Sequence, residues 1–64
     1  PGPVSRGDVS SIEKHLRAIA PMGADNLNFY RTLCLNTVPL AQQAGGIDEA
    51  RAQQFIRLLQ QNGH

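Results

Sequence analysis

The chain has 64 residues and a formal net charge of +1, from six Lys or Arg against five Asp or Glu. A domain this short buries only about 60% of the surface that its unfolded chain exposes, so its core is small. Its composition excludes several usual sources of extra stability and several functions. Cys34 is the only cysteine, so no internal disulfide can form. His15, His64 and Cys34 are too scattered to supply the four ligands of a structural zinc. A charge of +1 is too small for a surface that tracks phosphates. No apolar run approaches the roughly 20 residues of a membrane span, and no basic segment followed by an apolar one marks a secretory signal. A single unpaired cysteine favours a reducing compartment.

Residues 1–7 contain two prolines, two glycines and a serine, a composition with little apolar surface to bury, and are expected to form a disordered tail or linker. Pro1-Gly2-Pro3 reads as a linker, which points to a domain of a larger protein. The ordered domain is expected over 8–62. Ser10 and Glu13 have the S-x-x-E spacing of a capping box. From there Val9, Ile12, Leu16 and Ile19 recur every three or four residues, which predicts a first helix over about 9–20, ending before Pro21.

Met22-Gly23-Ala24 is a short connection, and Asp25 or Asn26 can cap a second helix over about 25–44. Leu27, Phe29, Tyr30, Leu33, Cys34, Leu35, Val38, Leu40 and Ala41 cover more than one face of it, the pattern of a helix contacted on two sides. Pro39 removes one backbone hydrogen bond and crowds the preceding turn, so a kink or break is expected near Thr37-Val38. Gly45-Gly46 permits a left-handed helix end, and Asp48 or Glu49 suits the positive end of a third helix over about 48–61. Ala52, Phe55, Ile56 and Leu59 form its apolar stripe, with Arg51, Gln53, Gln54, Arg57, Gln60 and Gln61 facing outward. No segment alternates with period two. The predicted fold is all-α, a small three-helix bundle with its second helix kinked or broken near Pro39.

Motifs for chemistry are sparse. Arg6-Gly7-Asp8 has the composition of an integrin-binding triplet, but Asp8 also suits the N-terminal end of a helix. Asp48 and Glu49 are neighbours on a helix, about 100° apart, and cannot readily converge on one atom. His15 has no Ser, Cys or carboxylate at matching helical spacing and reads as a surface or boundary residue. Gly23, Gly45 and Gly46 fit no phosphate loop. Neither a catalytic centre nor a cofactor is expected.

The apolar surplus of helix two is more informative. Phe29, Leu33, Leu35, Val38 and Leu40 lie beyond its inward stripe, and two short helices offer little to cover them, so some should remain exposed as a partner or self-association surface. An alternative uses helix three as a recognition helix, with Arg51, Gln53, Gln54 and Arg57 contacting nucleic acid. The candidate partner-binding residues are therefore Phe29, Leu33, Leu35, Leu40, Arg51, Gln54 and Arg57, and the expected function is a non-catalytic protein–protein interaction or assembly module.

Three segments also carry a resemblance. Leu16-Arg17-Ala18-Ile19-Ala20-Pro21-Met22, then Gly23-Ala24-Asp25-Asn26-Leu27 leading into Phe29-Tyr30-Arg31-Thr32-Leu33-Cys34, then Asp48-Glu49-Ala50-Arg51 resemble the later helices of lentiviral Gag matrix domains in order and approximate spacing. The resemblance implies a viral structural domain engaged in assembly and not catalysis. The family's N-terminal glycine for myristoylation and its dense basic patch have no counterpart here, so it implies a helical core without the membrane-binding half. No functional residue carries over.

Overall fold

The computed structural model describes residues 2–60. Three helices follow one another: α1 (Val9–Ile19), α2 (Ala24–Gln43) and α3 (Glu49–Gln60), with a 3₁₀ turn over Ala20–Met22 between the first two. The described residues contain no strand. The chain folds as an all-α three-helix bundle, 33 × 19 × 16 Å across its principal axes. None of its helices is long and apolar enough to cross a membrane. Positions 61 and 62, at the expected end of the third helix and of the domain, lie outside the described residues.

Each helix contributes one stripe to a single core. Ile12 and Leu16 come from α1, Cys34, Val38 and Ala41 from α2, and Ala52, Phe55 and Leu59 from α3. The spacings of three and four residues are those that keep side chains on one side of a helix. Phe55 is fully enclosed, and α2 packs more extensively on α3 than on α1. Cys34 behaves as a small buried hydrophobe. Val38, assigned to the apolar surplus by its position, is in fact 1% exposed and belongs to the core.

The helix starts differ from the expected caps. Asp8, not Ser10, caps α1: its backbone is non-helical, and its carboxylate accepts from the Ser11 N–H at 3.1 Å, the Ser11 hydroxyl at 2.7 Å and the Ser10 hydroxyl at 3.2 Å. An ionised carboxylate has more acceptor sites than a serine hydroxyl and takes all three donors, which leaves Ser10 inside the first turn. These bonds, that of the Ser11 side chain first, hold the Asp8 pKa below its ordinary 3.8. For α2 the cap position is Gly23, at φ 115°, a conformation that only glycine adopts easily. Asp25 falls in the first turn, and the Asn26 side chain donates backward to the Met22 carbonyl at 3.1 Å. Asp48, expected at the first turn of α3 as a dipole partner, stands one residue before the helix and caps it, accepting from the Arg51 N–H at 2.8 Å.

Pro39 lies within α2, which runs uninterrupted from Ala24 to Gln43, so a break at Thr37-Val38 does not occur. Val38 and Ala41, on either side of the proline, are both buried in the core, and this packing holds the helix across the missing hydrogen bond. Just before it, the Thr37 hydroxyl donates to the Leu33 carbonyl at 2.8 Å. The helix ends in a Schellman motif. Gly45, at φ 81°, donates to the Gln42 carbonyl at 3.0 Å, and Gly46 donates to the Ala41 carbonyl at 3.0 Å.

The N-terminal segment is not the expected tail. Within its described part, the Arg6 N–H bonds to Gly2, Gly7 to Val4 and Asp8 to Pro3, which winds the segment into consecutive turns. Val4 is 4% exposed and sits in the core. One buried valine is enough to dock an otherwise polar segment when its backbone groups are satisfied locally and its neighbours fit. The fit comes from Gly46, where a Cβ would lie 2.5 Å from the Ser5 carbonyl oxygen.

Gly46→Ala should therefore displace the segment and cost on the order of 1–3 kcal/mol, as overpacking does, whereas Gly2→Ala, with open space around it, should be neutral. Thermal unfolding and amide exchange at residues 4–8 measure both. The Asp8 cap also gives an acid limb to stability. Because its folded pKa lies below the unfolded value near 3.8, its contribution is complete above that pH and is lost as pH falls through the folded pKa. The fall in melting temperature below that point should be shallower in Asp8→Ala.

Candidate docking surface

The exposed large hydrophobic side chains among the described residues are Met22, Phe29, Leu33 and Leu40, with exposures of 66%, 72%, 54% and 64%. Three of them belong to α2, and at about 100° per residue Phe29, Leu33 and Leu40 fall within an arc of about 40°. Met22 is exposed in the turn before α2. Phe29, Leu33 and Leu40 form one stripe on α2, away from the core stripe. The face is open because α1 and α3 meet α2 on the side of Cys34, Val38 and Ala41.

The structure divides the remaining candidates. Leu35 does not join the stripe; it is partly buried and packs against the core, because its position in the helical repeat is next to Cys34 and Val38. Arg51 donates from Nη1 to the Gly7 carbonyl, which ties α3 to the N-terminal segment. Its aliphatic stem also passes near Gly7, itself at φ 71°. Gln54 and Arg57 are exposed on α3 and line a shallow depression with Val9, Glu13 and Leu58. The two candidate groups are thus on different faces, one apolar on α2 and one polar on α3. Within the Arg6-Gly7-Asp8 triplet, Asp8 is occupied as the α1 cap and lies 3.7 Å from Arg6.

The residues missed in sequence form a cleft beside the stripe. A cavity of about 240 Å³ is lined by Val4, Ile12, His15, Tyr30, Leu33, Cys34 and Thr37, with Gly2, Pro3 and Ser5 along one edge. The His15 Nδ1 lies 2.7 Å from the Tyr30 hydroxyl, and the two rings meet edge to face at 5.7 Å and 74°. The Cys34 thiol lies one turn on from Tyr30, close enough for each to affect the other's ionisation. Spacing within a helix could have shown the second contact. The first joins residues fifteen apart on different helices and has no local signal.

Burial pushes the Cys34 thiol above its ordinary 9.0, and the bond from Tyr30 opposes this only in part. Burial, then the bond to Cys34, likewise raises Tyr30 above its ordinary 10.0. Both groups stay protonated at neutral pH, so the cleft offers no thiolate or phenolate nucleophile. At the other end of the bundle, Gln42 and Gln53 donate to the Glu49 carboxylate at 2.8 and 3.0 Å and lower its pKa. No group of three or more His, Cys, Asp or Glu among the described residues could hold a metal ion.

No family model matches the chain, and no characterised protein or solved structure is similar enough to count as a match.

The donor in the His15–Tyr30 bond is set by the imidazole tautomer. Tyr30→Phe should remove this bond, and long-range ¹⁵N–¹H spectra of His15 should then change at Nδ1. Cys34 should react with an aromatic disulfide reagent more than about tenfold slower than a free thiol at pH 8 until the protein is unfolded.

Proposed function

We propose that this chain is a non-catalytic docking and assembly module whose working surface is the outer face of α2. The observation that carries the reading is the exposed stripe of Phe29, Leu33 and Leu40, with Met22 also exposed in the preceding turn. A contiguous apolar stripe on a small monomer has a standing cost in solvent, and such patches mark surfaces that a partner covers. The stripe sits on a regular helix, which presents its side chains at fixed spacing and loses little conformational entropy on binding. A partner helix packing along it is the recognition mode that fits. The protonated Cys34 and Tyr30 support a binding role over a catalytic one.

The nucleic-acid reading through α3 has less support. Arg51, one of its contacts, is engaged by the Gly7 carbonyl, which leaves Gln54 and Arg57 to carry it. A matrix-like structural role shares the expectation of assembly and adds no residue to the surface.

A photo-reactive amino acid replacing Leu40, with a control at Gln54, separates the readings. Adducts to protein at position 40 and not at 54 are the expected result. Adducts at 54 and not at 40 would overturn the α2 assignment. Binding of a DNA or RNA duplex with an affinity that falls steeply with salt would replace it with the nucleic-acid reading.

A further inference from the structure

Asn26, Phe29, Leu33, Asn36, Leu40 and Gln43 follow one another along α2 at steps of three, four, three, four and three, and all six are exposed. These steps are those of a coiled-coil seam, here with Phe29, Leu33 and Leu40 as its apolar positions and three amides between and beyond them. Resting on the docking role of α2, we propose that the partner is a second copy of this chain, and that two α2 helices pack antiparallel along this seam about a two-fold axis.

Two observations select a second copy. The seam carries no formal charge, so a copy meets no like charge of its own when the same face is used twice. In α2 only Asp25 and Arg31 are charged; Arg31 lies off the seam, and Asp25 flanks it at the first turn, away from its centre. The area also fits. Taking about 200 Å² for each full side chain, Met22, Phe29, Leu33 and Leu40 expose on the order of 500 Å² per copy, against about 800 Å² per partner in a standard interface. The neighbouring amides and Thr37 supply the polar rim that makes up much of the difference.

The antiparallel direction is favoured by the helix dipoles, which then oppose each other. When the two seams run in opposite directions about a centre between Leu33 and Asn36, Asn26 faces Gln43 of the other copy and Phe29 faces Leu40, each pair occurring twice. Apolar groups then meet apolar groups, and amides, which both donate and accept, meet amides at the two ends. At the centre Leu33 meets Asn36, and a polar residue within an apolar seam specifies register at a cost in stability.

Sedimentation or light scattering over about a hundredfold range of concentration, from low to several hundred micromolar, should show a reversible monomer–dimer equilibrium. Phe29→Glu and Leu40→Glu, both at exposed positions, should each weaken association at least about a hundredfold while helical circular dichroism is unchanged. Asn26→Cys and Gln43→Cys proteins, mixed under mild oxidation, should form the mixed disulfide, while Asn26→Cys alone should not cross-link; the buried Cys34 stays out of the exchange, with the unsubstituted protein as control. A monomer at every concentration would overturn the second copy as partner, and adducts at position 40 would then still support docking of another protein. Association that survives both glutamate substitutions would place the interface elsewhere, and rapid Asn26→Cys homodimers would overturn the antiparallel arrangement.

Discussion

Two helices that share one core with a third leave the outer side of that third helix open, and α1 and α3 both meet α2 on the side of Cys34, Val38 and Ala41. At 1.5 Å per residue α2 is about 30 Å long, close to the longest dimension of the whole bundle. Its inner stripe, through Cys34, Val38 and Ala41, takes all the packing that α1 and α3 can provide. The opposite stripe has nothing to face except solvent. The exposure of Phe29 and Leu40 and the docking role proposed for them follow from this one-sided packing.

A core this small gains from every residue that can be brought to it. Val4 is delivered from outside the helices by a turn-rich segment whose backbone hydrogen bonds are made within itself. The segment is secured at two points, the close approach of Ser5 to Gly46 and the Arg51 bond to Gly7. Both points lie near the connection between α2 and α3, so the left-handed helix end that returns the chain also creates the seat for its N-terminal segment. Arg51 therefore has a structural role even though its position on the outward face of α3 suggests a binding one.

The cleft beside the stripe shows how burial sets chemistry here. Cys34 and Tyr30 are one helical turn apart and partly shielded by the N-terminal segment, so each loses solvation that its ionised form would need. Their raised pKa values make the cluster a set of neutral hydrogen-bonding groups. Leu33 lines this cleft and also belongs to the exposed seam, so the rim of the cavity and the docking face share a side chain.

Periodicity and turn chemistry were enough to determine three helices from the sequence, because apolar stripes and caps are local properties: Ile12 with Leu16, Phe55 with Leu59, Gly45 with Asp48. The same pattern showed that α2 has more apolar residues than one face can bury. It could not say which ones stay outside, since Leu35 and Leu33 are both apolar and only the placement of neighbouring helices separates them. Tertiary structure decided that Leu35 and Val38 pack inward, that Val4 joins the core from a segment of unpromising composition, and that His15 meets Tyr30. Each depends on contacts between residues distant in the chain, whose energies come from burial and shape, and local spacing has no record of either.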